Sequence, residues 1–189
     1  MLKSVPFYFI RHGETEWNKL RLMQGQTDVP LNAAGIVQAH AAGKSLAALD
    51  IKTICASPLR RARYTAEIIA KYIDAPIVDI VGLMECNFGI YEGHPSDSSW
   101  HTDWIKGATI PGGETLAEFR DRTLTAINHA LDHAGPVLIV AHGGNFLSIR
   151  DAVLDATTGP AGNCAPMVFS PQGGSWALEA VMASATKHK

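Results

Sequence analysis

Arginine and histidine stand together at two places where an apolar run of this chain stops. Val5 to Ile10 is followed at once by Arg11-His12-Gly13-Glu14-Thr15, and Val137 to Ala141 by His142-Gly143-Gly144. A third group of cations, Arg60, Arg61 and Arg63, comes shortly after the apolar stretch ending at Ala56. Guanidinium groups hold the oxygens of an anion in a bidentate way, and an imidazole can act as nucleophile, acid or base. Taken singly, each histidine is better explained as a packed structural residue. Two imidazoles and at least two guanidinium groups brought to one crevice suit a phosphoryl group instead, with helix N-termini adding amides and dipole. Gly13 is expected to permit a sharp turn there and to let backbone amides approach the anion. A divalent metal fits poorly, because His12 and His142 sit among cations.

The elements that must position these residues follow from pattern. Val5–Ile10 and Val137–Ala141 read as strands buried on both faces, as in the middle of a mostly parallel sheet. Ligands of such sheets bind at the carboxyl edge, where these histidines fall. Asn32 is expected to cap a helix running to about Leu49, with Leu31 stapled on Ile36. Thr53 to Ala56 reads as a second strand. Ser57-Pro58 is read as an N-cap with proline in the first helical turn, opening a helix to about Ile73. Pro76 to Val81 is a third strand. Thr115-Leu116-Ala117-Glu118 forms a capping box that opens a helix ended by Gly135-Pro136. A further helix spans about Asn145 to Leu154. Met167–Ser170 and Trp176–Val181 are late strands turned by Gly173-Gly174, and the end through Lys189 is expected to fray. Alternating strands and helices predict an α/β fold, a three-layer α/β/α sandwich around a mostly parallel sheet.

With 189 residues, 47% hydrophobic and 18% charged, residues 1–189 are expected to form a single globular domain. Residues 86–113 stand apart as a loop-rich cap carrying His94, Trp100, His101, Trp104 and Lys106 without a clean period. Trp100 and Trp104 should anchor a short cap helix. His94 and His101 could pair with Asp97 or Asp103, although solvated loop residues are the simpler reading. Lys106 could meet a second acidic group on a substrate, with solvent exposure again simpler. The formal net charge of −2 gives no reason to expect nucleic acid or an anionic membrane as partner. No stretch nears the ~18 apolar residues of a membrane span. The three scattered cysteines, Cys55, Cys86 and Cys164, read as buried reduced thiols of a cytoplasmic protein.

Several segments together resemble the histidine phosphatase superfamily, the phosphoglycerate mutase-like family. Arg11-His12-Gly13-Glu14-Thr15, Trp17-Asn18, Gln24-Gly25 and Asp28-x-Pro30-Leu31 resemble its opening. Ser57-x-Leu59-x-Arg61-Ala62-x-x-Thr65-Ala66 is similar to its second motif. Leu83-x-Glu85-x-x-Phe88-Gly89-x-x-Glu92-Gly93 is similar to the third, and Val140-Ala141-His142-Gly143-Gly144 to the fourth. The resemblance implies a phosphoglycerate mutase-like fold and a metal-independent, cofactor-free reaction through a phosphohistidine on His12. A nucleophile must be neutral, and Arg11 and Arg61 should hold it so by repulsion. Arg11, Arg61 and His142 would hold the equatorial oxygens. Glu85 would protonate the leaving oxygen and then activate water. It would have to start protonated, a state that burial favours and the arginines oppose. Asn18, Thr15, Gln24, Gly25 and Gly143 match the family's secondary substrate contacts, whereas Arg60 and Arg63 are expected to point elsewhere.

Pro111-Gly112-Gly113-Glu114-Thr115 resembles an element of the family's phosphatase branch. The cap also has only Lys106 as a permanent cation, where mutases carry more. The expectation is a phosphomonoesterase of histidine acid phosphatase type acting on a small soluble phosphate ester. Mutase-type transfer is the alternative, and a non-catalytic phosphate-binding module a third reading.

Overall fold

Strict alternation along two strands divides the core. In β1 (Phe7–Arg11), Phe7 and Phe9 enter one apolar cluster and Ile10 the other. In β4 (Val137–Ala141), Val137, Ile139 and Ala141 join the first, and Leu138 and Val140 the second. Successive side chains of a strand point to opposite faces, so both strands must be covered on both sides. The computed structural model describes residues 1–96, 99–154 and 158–181. It has a six-stranded sheet that also includes β2 (Thr53–Ala56), β3 (Ile77–Asp79), β5 (Met167–Gln172) and β6 (Ser175–Ala180). The order is β3-β2-β4-β1-β5-β6. The first four are parallel, and β5 and β6 add antiparallel, so the sheet is mixed.

One face is covered by α2 (Ala33–Leu46) and α3 (Arg60–Ile69), the other by α5 (Leu116–Ala130) and α6 (Gly143–Val153). The short helix α1 (Glu16–Lys19) follows β1, and α4 (Ser99–Ile105) lies in the cap segment. That segment has a small core of its own: Cys86, Phe88, Trp104 and Ile110 pack on Phe119 of α5. Trp104 is the buried anchor, while Trp100 stacks flat on Tyr91 with ring centroids 4.2 Å apart.

The capping expectations at Asn32 and Thr115 match the structure. Asn32 Oδ1 accepts from the Gly35 amide at 2.8 Å, and Thr115 and Glu118 bond reciprocally. The one at Ser57-Pro58 does not. Leu59 is the N-cap of α3, and the Asp28 carboxylate takes the Arg60 amide at 2.8 Å. Ser57 is held out of the helix because its amide extends the β-ladder to Val140 O at 3.0 Å. Four ends are also shorter than predicted. Helices α2, α3 and α5 stop at Leu46, Ile69 and Ala130, the last short of Gly135-Pro136, and β3 pairs only through Asp79 before a 3-10 turn at Val81–Leu83. The segment through Lys189 lies outside the described residues beyond Val181, as does Asp97.

Gly13 serves packing rather than an anion. Its amide donates to Thr65 Oγ1 at 3.1 Å, and a Cβ on it would sit 2.5 Å from Gly35 O. Gly35 is the reciprocal half of this approach, since a Cβ there would fall 2.1 Å from Glu14 O. Gly35→Ala should therefore destabilise the protein although alanine is the better helix former. The helix gain is about 1 kcal/mol and overpacking costs about 1–3 kcal/mol, so urea unfolding should report a net loss.

Candidate active site

The ladder registers bring three strand ends side by side. β4 lies between β2 and β1, with Arg11 opposite Ala141 and Ala56 opposite Val140. The next residues are His12, His142 and Ser57, and they form a row. The His12 amide donates to Ala141 O at 3.0 Å, and the two imidazoles stand with centroids 5.1 Å apart. Ser57 Oγ lies 2.8 Å from His142 Nε2 on the far side. All three side chains are buried.

His12 Nδ1 lies 2.7 Å from Gly13 O. A carbonyl oxygen can only accept, so Nδ1 carries the proton and Nε2 keeps its lone pair. Burial, then the charges of Arg61 and Arg11, hold the proton affinity of His12 well below the ordinary histidine range. Burial and the same two arginines do this to His142 as well. Arg61 is fully buried, with Nη2 donating to Gly25 O at 2.6 Å and Nη1 to Thr27 O at 3.0 Å. Desolvation pushes its pKa down to about 10, so it remains a cation at neutral pH. Arg11 donates from Nη1 to Ala161 O at 3.1 Å. The Nε atoms of both arginines are buried without a partner, as is His142 Nδ1. The two guanidinium N–H groups are donors; a buried donor left unpaired costs about 1–3 kcal/mol, and an oxyanion entering beside the arginines would bond them.

The side chain of Glu85 is fixed by two amides. Oε2 accepts from Gly144 at the start of α6 at 3.1 Å, and Oε1 from Cys86 at 2.9 Å. Its charge is the largest influence raising the pKa of Arg61 and of Arg11 against desolvation. The helix N-termini are thus occupied from within: Asp28 takes α3 and Glu85 takes α6. The cationic field comes from side chains rather than from the helix amides predicted to supply it.

Arg11, His12, Asn18, Gln24, Gly25, Arg61 and Glu85 line one cavity of about 460 Å³. His142 lies behind His12 and does not line it. Thr15 is buried and works through its neighbours: it caps α1, accepts from the Asn18 amide at 3.1 Å, and donates to Gln24 Oε1 at 2.9 Å. Gly144, not Gly143, is the glycine at the wall, where a Cβ would fall 2.2 Å from Glu85 Oε1. His101 and Trp104 line the cavity, whereas Trp100, His94 and Lys106 do not. No ion pair joins either cap histidine to Asp103 among the described residues. Arg63 pairs outward with Glu67 and Asp79, and Arg60 lies off the cavity. Among the described residues no three His, Cys, Asp or Glu side chains converge as a metal site.

Four residues that sequence reasoning gave no role hold this geometry. Glu92 accepts from the amides of Gln26 and Thr27 at 2.8 Å and of Phe88 at 3.1 Å, fixing the turn whose carbonyls bind Arg61. Gly25 must be glycine there: its φ is +51°, and a Cβ would lie 2.0 Å from Glu92 Oε1. Glu114 pairs bidentately with Arg122 at 2.7 Å, and Arg122 donates to the carbonyls of Gly82 and Met84 at 2.9 Å and of Glu85 at 3.2 Å. The segment bearing Glu85 is thereby clamped to α5. Asn163 donates to His12 O at 2.8 Å.

The profile of the histidine phosphatase superfamily (branch 1) matches residues 7–183. The chain belongs to this superfamily. The "Uncharacterized phosphatase PhoE" of Bacillus subtilis (strain 168) is 42% identical over 137 residues, 71% of this chain and 69% of that one. The "Probable phosphoglycerate mutase GpmB" of Salmonella typhi is 37% identical over 147 residues, 72% and 68% of the two chains. Among solved structures, Bacillus stearothermophilus YhfR superposes with a TM-score of 0.78 at 30% identity, covering 93% of this chain and 95% of its own. These neighbours make this a phosphatase-like or mutase-like member of the superfamily with a phosphoglycerate mutase-like fold.

Keeping His12 and His142 neutral inside the superfamily fold has a cost at low pH. Their folded values lie below the unfolded value of about 6.5, so the unfolded chain takes up their protons first as pH falls. Their stabilising contribution is complete above about pH 6.5 and is lost progressively below it, at up to about 1.4 kcal/mol per pH unit for each. Urea titrations at descending pH should show this slope, and the His12→Gln/His142→Gln pair should flatten it.

Proposed function

We propose that this histidine phosphatase superfamily member is a metal-independent phosphomonoesterase for a small phosphate ester. The observation that carries the reading is the His12 Nδ1 contact with Gly13 O, which leaves the Nε2 lone pair free between two guanidinium groups. His12 Nε2 attacks phosphorus as the ester P–O bond breaks, while Arg11 and Arg61 hold the equatorial oxygens in the region where charge develops. His142, kept neutral behind His12, supports the same group. In this reading Glu85 is the general acid and gives a proton to the leaving alkoxide. It then takes one from water as the oxygen of that water displaces His12, releasing inorganic phosphate. Asn18, Gln24 and Gly25 complete the wall around the substrate, with Thr15 and Gly143 behind them. Phe88, His101 and Trp104 of the cap segment wall the site within one domain. The buried, unpaired thiols of Cys55, Cys86 and Cys164 support a reducing, cytoplasmic setting.

The likeness to GpmB favours one second reading, transfer of the phosphoryl group back to a product as in a mutase. Aryl phosphate hydrolysis in the presence of chelator tests the first. Wild type should be active, and His12→Ala should lose about a thousandfold or more. Quenching during turnover should trap an acid-labile, base-stable phosphoryl adduct on His12. Survival of activity in His12→Ala, or its loss with chelator, would overturn the chemistry. With 3-phosphoglycerate and a bisphosphoglycerate primer, free phosphate supports hydrolysis and isomer formation supports the mutase.

A further inference from the structure

We infer that the ester carries a second anionic group, bound by Arg120 at the outer end of the cavity and about 10 Å from the phosphorus. This rests on the phosphatase reading and adds a substrate class to it. The cavity of about 460 Å³ is in the range that encloses a drug-sized ligand. A three-carbon phosphate would leave most of it unfilled. Its inner end is the row of basic residues around His12. Its middle is walled by Met23, Phe88, Trp104, Leu116, Phe119 and Leu147, which suit a flat apolar body.

Charge returns at the outer end. Arg120, Arg150 and Asp151 line the cavity there, two guanidinium groups against one carboxylate among the described residues, and Arg21 is a further guanidinium in the lining. Asp151 is shared: Arg150 donates to Oδ1 from Nε at 2.8 Å and from Nη2 at 2.6 Å, and Arg120 Nη2 bonds Oδ2. One carboxylate cannot neutralise two guanidinium groups. Arg120 Nε is moreover buried without a partner. Arg21 forms no ion pair with any carboxylate among the described residues. Among the described residues the outer end therefore carries net positive charge, which repels a cation and prefers a carboxylate or second phosphate to a neutral group.

Helix α6 measures the separation. Gly144, whose amide holds Glu85, and Asp151, which holds Arg120, are seven residues apart, or about 10 Å along the axis at 1.5 Å per residue. An acid whose carboxylate lies next to its phosphate, as in a phosphoglycerate, cannot reach both ends.

The test compares kcat/KM for a biphenyl phosphate bearing a carboxylate at the far para position with that for its carboxamide, equal in shape and neutral. A phosphonate at the same place distinguishes a second phosphate-like anion from a carboxylate. A phenyl phosphate with para carboxylate, against its own carboxamide, supplies the short comparison. Wild type should favour the long anion over the long amide by about tenfold or more, as a charge-assisted hydrogen bond would give. The short pair should differ little. In Arg120→Met the long ratio should fall to near one, in Arg120→Lys it should be partly kept, and in Asp151→Asn it should rise. A wild-type ratio near one, a ratio unmoved in Arg120→Met, or an equal preference in the short pair would overturn the inference alone. Absence of phosphate release from every ester would overturn the phosphatase reading and this inference with it.

Discussion

A guanidinium group buried with no carboxylate among the described residues in ion-pair contact is the constraint to which the rest of this structure answers. Arg61 is wholly out of water, and its hydrogen-bond partners are the carbonyls of Gly25 and Thr27, which soften its charge without cancelling it. Burying a charge so incompletely paired is expensive. Much of that cost is recovered when an anion bonds it. The same charge decides the state of its neighbours. Buried and beside Arg61 and Arg11, neither His12 nor His142 takes up a second ring proton at neutral pH. A binding site for an anion is thereby also a site where an imidazole keeps a lone pair.

The nearby carboxylates hold the backbone instead of cancelling the arginines. Asp28 caps α3, Glu92 fixes the turn at residues 25–27, and Glu114 with Arg122 clamps the strand of chain that carries Glu85. Each is tied up by amides or by an arginine outside the cavity. Had any one turned inward to pair with Arg61, the field would be neutralised and the turn released together. Of these four carboxylates Glu85 alone lines the cavity, and the two amides on its oxygens fix where it does so.

What could be read from the sequence was what short-range physics decides. Apolar runs placed β2 and β4 to the residue and β1 within two, and side-chain oxygens three residues before a helical amide marked the caps at Asn32 and Thr115. Arg11, His12, Arg61 and Glu85 were nameable because each lies just past such an element or in a motif, and the sheet register gathers them at one cavity. Ser57 was misread because a serine before proline looks like a cap, whereas a ladder bond to β4, 83 residues away, holds it beside His142. Gly13 was misread for the same reason: its nearest obstacle is Gly35, which only the packed helix reveals. Glu92, Glu114 and Arg122 act through contacts with distant backbone, which no local pattern records.

The cavity has two halves built by different means. The inner half hangs on buried parallel strand ends, where a shift of one side chain would break ladder bonds. The outer half is carried by α4, α5 and the later turns of α6, and the cap is held by aromatic packing of Phe88, Trp104 and Phe119. Phe119 joins them. A Cβ on Gly144 would touch its ring at 2.9 Å, beside Glu85, and the Arg122 guanidinium lies 5.2 Å from its centroid. Arg120 follows in the next position of the same helix. Substitutions beyond Phe119 can therefore reshape the outer half of the cavity while the bonds fixing His12 and Arg61 stay intact. A change at Phe119 itself would loosen the wall behind Glu85 and the outer end of the cavity at once, so the two halves meet mechanically at that ring.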